Sequence, residues 1–276
     1  MIVLVTGANG MFGQDLCPIL EDNGYDVVET DVENLDITDI EQCRNVLSEI
    51  APDYVIHCAA YTNVDKAEDD IVTASRINIT GTENLARVCS DLDIALVYIS
   101  TDYVFDGEKS DPYSPSDKPN PINNYGLTKF KGEEAIKKYC KRYYIVRTSW
   151  LYGHHADNFV EKMISLINQP DLKVVDDQVG CPTWTIELAN AIVNLIENND
   201  YGIYHVCGGG STSWYNFAKE IFTQLGVSTN LRPCTTIDSG RQARRPKNSV
   251  MNNNNTCRDW KLALKDYINL RIDKED

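Results

Sequence analysis

An α/β fold with a doubly wound parallel sheet is what the sequence predicts, and three observations carry the prediction. Short apolar, β-branched segments alternate with longer helical ones through the first half of the chain. Four apolar residues, Ile2 to Val5, open the chain and are followed by Gly7, Gly10 and Gly13 at offsets of three. An acidic residue, Asp31, ends the second apolar segment, 18 residues past Gly13. Such alternation puts helices on both faces of a parallel sheet. Strand, glycine turn and helix in succession is the context in which glycine spacing means dinucleotide binding, so the sheet is read as Rossmann-type.

Taken in order, strands are predicted at 2–5, 26–30, 54–57, 95–99 and 144–147. Helices are predicted at 13–23, with Pro18 inside it, and at 40–50, 71–92 and 125–139. Residues 1–150 then form a dinucleotide-binding domain. Residues 151–276 form mainly a smaller substrate-binding lobe, with segments returning to the first domain. In that second half 174–175 and 203–206 read as short strands, 186–197 and 214–225 as amphipathic helices, and Gly226 as a stop. The run 208–213 reads as a turn capping the second of these helices, 252–255 as a polar lead-in, and 260–270 as a closing helix.

Bulk properties narrow the function classes. A 276-residue chain with 42% hydrophobic residues suits a soluble globular protein. No apolar run approaches the ~20 residues that a membrane helix requires. The first residues read as a core strand rather than a signal peptide. The net charge of −15 argues against nucleic acid and anionic membrane as partners. Nine cysteines without a C-x-x-C pair read as reduced, mostly buried thiols of a cytoplasmic protein.

The residues that point to chemistry cluster at predicted strand ends. Gly7 takes a tight turn, Gly10 lets backbone N–H groups approach a pyrophosphate, and Gly13 lets the helix sit close on its strand. Asn9, Met11 and Phe12 complete that loop, and the helix N-terminus faces the phosphates. Asp31 is placed to accept hydrogen bonds from the adenosine ribose and to repel a 2′-phosphate. No Arg or Lys is near it in sequence, so NADH is favoured over NADPH. Asp36 and Ile37 offer one polar and one apolar contact to an adenine. Ala59 and Ala60 leave room for a ribose and pyrophosphate, and Thr62 and Val64 are expected along the cleft. His57 reads as a satisfied core histidine. Ser100 and Thr101 reach the carboxyl edge of the sheet, where chemistry would occur. Pro112, Pro115, Pro119 and Pro121 mark a long loop suited to a rim.

Tyr125 and Lys129, four residues apart, share one helical face. A nearby ammonium is expected to lower the phenol's pKa, making it an acid for a carbonyl oxygen. The stretch 241–247 is the densest basic cluster in an acidic chain, and Arg forks match diphosphate oxygens.

The glycine loop, the strand-end Thr101 and the Tyr125–Lys129 pair together resemble the extended branch of the short-chain dehydrogenase/reductase superfamily. More narrowly the chain resembles the dTDP-4-dehydrorhamnose reductase family. The similarity runs nearly end to end, through Val64-Asp65-Lys66-Ala67-Glu68, Ser100-Thr101-Asp102-Tyr103-Val104-Phe105, Tyr125-Gly126-Leu127-Thr128-Lys129, Arg147-Thr148-Ser149-Trp150, 177–183 and Arg245-Pro246-Lys247-Asn248-Ser249. The resemblance implies reduction of the 4-keto group of a dTDP-4-dehydro-6-deoxy sugar, giving dTDP-rhamnose, with NADH or NADPH. It implies that Thr101 binds the keto oxygen, Tyr125 protonates it, and Lys129 binds the nicotinamide ribose and tunes the tyrosine. Val64, Asp102, Tyr103, Trp150, Arg245 and Asn248 are the expected sugar-nucleotide contacts. Met11-Phe12 departs from the usual residues between the glycines, which bears on cofactor preference. Two other readings stand beside this one: a nucleotide-sugar epimerase or dehydratase of the same superfamily, and a non-catalytic regulatory subunit resembling that of methionine adenosyltransferase. For the first, the strand end carries Tyr103 where dehydratases carry Glu. Some relatives dimerise through a divalent ion, so a homodimer and a bound Mg²⁺ stay open at this point.

Overall fold

The computed structural model describes residues 1–198 and 200–273. In chain order the first half comprises β1 (Ile2–Thr6), α1 (Met11–Asp22), β2 (Asp26–Thr30), α2 (Ile40–Ile50), β3 (Tyr54–His57), α3 (Lys66–Asp69), α4 (Ile71–Ser75), a π-helical segment Arg76–Gly81, α5 (Thr82–Asp91), β4 (Ala95–Thr101), α6 (Asn124–Tyr139) and β5 (Tyr143–Thr148). The second half follows as β6 (Leu151–Tyr152), α7 (Phe159–Ser165), β7 (Leu172–Val175), β8 (Val179–Gly180), β9 (Thr183–Trp184), α8 (Thr185–Asn198), β10 (Gly202–His205), β11 (Thr212–Ser213), α9 (Trp214–Gln224), β12 (Leu231–Cys234) and α10 (Trp260–Asp273).

Six strands form one parallel sheet in the order β10-β5-β4-β3-β1-β2. The order reverses at β1, which lies between β2 and β3. A crevice therefore opens beyond the carboxyl ends of β1 and β3, where the connecting loops part to either side. Val3, Leu4 and Val5 are fully buried, as the apolar run of β1 requires of a strand covered on both faces. One face is covered by α1 and α8, through Leu16 and Leu20 against Leu188 and Ile192. The other is covered by α2, α5 and α6, through Leu47, Leu85 and Ile136. A separate apolar cluster, with Tyr152, Trp184, Phe217 and Tyr267, holds the C-terminal segments together.

Several expected boundaries move. α1 starts at Met11, so Gly13 sits within its first turn, and Pro18 lies on its exposed face. The segment read as one helix over 71–92 is three pieces, because Asp70 caps a short α4 through the Thr73 N–H and the backbone then widens into the π-helical segment. β7 pairs with β12 in a separate two-stranded sheet, whereas β10 joins the edge of the main sheet beside β5. Ser213 caps α9, accepting from the Asn216 N–H at 3.2 Å. Among the described residues no helix is long and apolar enough to cross a membrane. All nine cysteines are free thiols.

Candidate active site

A cavity of about 740 Å³ lies at the point where the strand order reverses. Gly7, Gly10, Met11, Phe12 and Gly13 line one end of it. Gly7 has φ +68°, and a Cβ there would lie 2.7 Å from the Ala59 nitrogen. A Cβ on Gly13 would lie 2.5 Å from the Ala8 carbonyl oxygen, so both glycines are set by close backbone approach. Asn9 does not line the cavity. Its N–H donates to Asp31 Oδ2 at 3.2 Å, and its carbonyl accepts from Gln14 Nε2 at 2.8 Å. Asp31 thus closes onto the glycine loop and lines the cavity with Asp36, Ile37, Ala59, Ala60 and Thr62. His57 is a core residue: it lies 2.8 Å from the Thr6 hydroxyl and 3.1 Å from that of Thr82, and burial pushes it down to about 3.

Residues at the end of β4 and the start of α6 meet across the other half of the cavity. Asn123 caps α6, accepting from the Gly126 N–H at 2.7 Å, and this turns Tyr125 and Lys129 toward the sheet edge. Tyr125 and Thr101 line this half together, and Thr101 favours the ionised phenol against its burial. The Thr101 hydroxyl donates to Asp102 Oδ1 at 3.1 Å and accepts from the Tyr103 N–H at 3.2 Å. Asp102 is buried and its Oδ2 has no hydrogen-bond partner within normal geometry. Burial pushes its carboxyl up to about 7, against the opposing pull of Ser249 and Thr101. Trp150 lines the same cavity with φ +48°, its ring stacked on Trp214 at 3.5 Å.

The expected lowering of the Tyr125 pKa is not what the structure gives. Burial pushes the phenol up to about 12, and the Asp102 carboxyl opposes ionisation further. Lys129 is itself pushed down to about 7 by burial. Its Nζ lies over the Tyr98 ring, 4.1 Å from the centroid. The phenol is therefore a fully protonated acid at neutral pH, which is the state a proton donor needs.

Four expected substrate contacts lie off the cavity wall. Val64 is half-buried next to Asp65 and does not line it. Tyr103 stands edge-on to Tyr125, 5.9 Å between centroids, and Arg245 pulls its phenol's pKa down against the effect of burial. Arg245 is not an open fork: Asp65 accepts from both of its terminal nitrogens, at 3.0 and 2.9 Å, because the loop 241–245 folds back onto α3. Arg241 joins the same carboxylate at 3.3 Å. The Asn248 amide is spent on the Lys109 and Ser110 carbonyls, at 2.8 and 3.3 Å. The structure adds Thr38, Arg76, Ser149 and Asp157 to the wall. The sequence around Asp31 offered no Arg or Lys, but the fold brings Arg76 into the same cavity. Among the described residues its side chain has no hydrogen-bond or ion-pair partner, while its backbone N–H donates to the Val72 and Thr73 carbonyls. No local pattern marks it, since the π-helical segment brings it there. Among the described residues no group of three or more His, Cys, Asp or Glu could hold a metal ion.

A dinucleotide-sized cavity at the reversal of a parallel sheet, ending in a Thr and a Tyr-x-x-x-Lys helix, defines the class of extended short-chain dehydrogenase/reductases. Within that class the chain belongs to the family described as the RmlD substrate binding domain, a family of oxidoreductases, whose model matches residues 1–271. It is 40% identical to a dTDP-4-dehydrorhamnose reductase of Streptomyces griseus, covering 95% of this chain and 91% of that one. It is 38% identical to the spore coat polysaccharide biosynthesis protein SpsK of Bacillus subtilis, covering 98% and 97%. A dTDP-4-dehydrorhamnose reductase structure from Clostridium acetobutylicum superposes with a TM-score of 0.95 at 44% identity, over 98% and 99% of the two chains. One from Bacillus anthracis, in complex with NADP, superposes at 0.94 and 41%, over 97% and 98%. A UDP-glucose 4-epimerase of Thermus thermophilus, at 0.80 and 21% over 93% and 92%, shares the fold.

Proposed function

We propose that this protein reduces the 4-keto group of a dTDP-4-dehydro-6-deoxy sugar, converting dTDP-4-dehydrorhamnose to dTDP-rhamnose. The observation that carries the reading is the meeting of Thr101, Tyr125 and Lys129 in one cavity with the glycine loop and Asp31. The cavity fits a reduced nicotinamide dinucleotide: the glycine loop admits a pyrophosphate at the helix N-terminus, and Asp31 and Asp36 offer acceptors at the far end. When bound, that group supplies the hydride for the sugar carbonyl carbon.

The chain's own residues do the rest. Thr101 orients the keto oxygen by hydrogen bonding. Tyr125, held as a neutral phenol, gives its proton to that oxygen as charge develops on it. Lys129, as an ammonium, binds the nicotinamide ribose and stabilises the phenolate left behind. Asp102 and Trp150 border the sugar. Residues 1–150 are the dinucleotide-binding part, and 151–276 supply mainly the sugar-nucleotide lobe. Asp31 favours the unphosphorylated ribose of NADH, and Arg76 supplies a cation for NADPH, so both are accepted. No step is assigned to Mg²⁺. A cytoplasmic location fits nine unpaired thiols.

The test is oxidation of NADH or NADPH by the purified protein with dTDP-4-dehydrorhamnose. Tyr125→Phe is expected to bind NADH as the wild type does while kcat falls by roughly 10²–10⁴. A variant turning over near the full rate would remove the phenol from the proton-transfer step.

A further inference from the structure

The indole that borders the sugar sits on a backbone that does not favour it. Trp150 has φ +48°, in the left-handed region where a bulky side chain is strained, and it lines the cavity. It stands just past the end of β5, where Thr148 pairs with Thr101. The Thr183 N–H donates to its carbonyl at 3.2 Å. One short ladder holds its ring. β8 and β11 pair antiparallel, with Gly180 opposite Thr212 and Val179 opposite Ser213. Gly180 lies against the indole: a Cβ there would stand 2.5 Å from Trp150 Cε2 and 2.6 Å from Nε1. Trp214, next after Ser213, lies flat on the same ring, with 3.5 Å between centroids and 6° between planes. Left to themselves, aromatic pairs prefer offset or edge-on contacts with centroids about 4.5–7 Å apart. Both the backbone at Trp150 and the overlap of the two rings therefore run against local preference. Such features persist where their surroundings over-determine them, and they cluster at ligand sites.

Trp214 does not line the cavity, and it is itself fixed. Its Nε1–H donates to Gln178 Oε1 at 3.2 Å, and Gln178 Nε2 donates to Thr236 Oγ1 at 2.9 Å. Gln178 is buried. Phe159 packs on Trp214 with 4.5 Å between centroids. We propose that Trp214 and Gly180 are positioning residues for Trp150: the stacked indole and the missing Cβ together hold the Trp150 ring as a fixed wall for the sugar. The C-terminal segments then set sugar affinity from outside the cavity. A wall fixed before the sugar arrives loses no side-chain freedom on binding, so its rigidity is read as affinity. The inference rests on the reading that the sugar lies beside Trp150.

Steady-state NADH oxidation with dTDP-4-dehydrorhamnose separates this role from packing alone. In the full chain, Trp214→Leu fills space without offering a flat face. Its KM for the keto sugar is expected to rise about fivefold, while kcat and the Kd for NADH stay within about twofold of wild type. Trp214→Phe, which restores an aromatic face, is expected to recover most of the KM. A purely structural role would lower the folded fraction, and with it the apparent kcat, and would leave KM where it was. A folded Trp214→Leu with the wild-type KM, or one whose Kd for NADH rises as much as its KM, overturns the proposal. If Trp214→Leu does not fold, Gly180→Ala carries the test. Its added methyl displaces the Trp150 ring while Trp214 stays, and KM should rise by a similar factor; an unchanged KM overturns the proposal. Failure of the reaction reading is distinguishable, since it appears in the wild type, as NADH bound but not oxidised in the presence of the keto sugar, and the sugar wall then falls with it.

Discussion

Arg76 is the side chain on which the choice between NADH and NADPH is expected to turn. It stands exposed at the cavity mouth and follows α4 directly. Its neighbour Ile77 lines the wall that Leu35, Asp36, Ile37 and Thr38 complete. The same helical stretch is locked onto that loop further along, since a Cβ on Gly81 would lie 2.6 Å from Ile37 Cδ1 and the Asn84 amide donates to the Ile37 carbonyl at 3.0 Å. Arg76 and Asp31 thus line one cavity. A carboxylate there opposes a 2′-phosphate and a guanidinium attracts one. Arg76→Ala is expected to raise the Kd for NADPH about fivefold and to leave that for NADH nearly unchanged. Parallel fluorescence titrations check it, and equal losses for the two dinucleotides would remove Arg76 from discrimination.

Elements matter where a loop from late in the chain crosses to an early one. The segment 241–245 is tied to α3 by Arg245 and Arg241 on Asp65 and by Gln242 on Asp69 at 2.6 Å. It is tied to the start of α6 by the Asn123 amide, which donates to the Arg244 carbonyl at 2.8 Å. The basic run thus fastens the helix that carries Tyr125 before it meets any diphosphate. Arg245 beside Asp65 holds its carboxyl down to about 2 from the usual 3.8. A depressed carboxyl contributes stability that is present above the unfolded value and is lost as pH falls toward the folded one. Arg245→Ala is therefore expected to lower stability at neutral pH by about 1 kcal/mol, since the pair is partly solvated. The difference should shrink as the pH falls from about 4 to about 2, which denaturant melts at several pH values would show. The basic cluster itself was plain in the sequence; that an acid 180 positions earlier takes its central fork was not, because nothing local joins Asp65 to Arg245.

Over the whole molecule the two halves of the chain share one sheet and the apolar cluster between α1 and α8, while a separate cluster holds the C-terminal segments. β10 pairs with β5 in parallel register from Gly202 on Tyr144 to His205 on Arg147. α8 covers α1 on the same face. Leu188→Ala, at that contact, is expected to cost about 2–5 kcal/mol, through a cavity that the packed helices cannot close. The loss should appear as a single cooperative transition in both far-UV CD and NADH affinity, because residues 1–150 leave the apolar side of α1 bare without α8. Two resolved transitions would mean that the halves fold separately.

The sequence by itself determined the parallel sheet, the glycine turn, Asp31 and the Tyr125–Lys129 face, because each is set within one strand or a few helical turns. Only the tertiary structure decided that Arg76 joins the cavity, that Asp65 takes Arg245, and that Glu133 pairs with Arg147. It also raised the Tyr125 pKa where proximity to a lysine had suggested lowering it. The reason is common to all four. Ionisation and charge pairing depend on how much water is excluded and on which charges long-range packing brings close, and neither is encoded in the spacing of neighbouring residues.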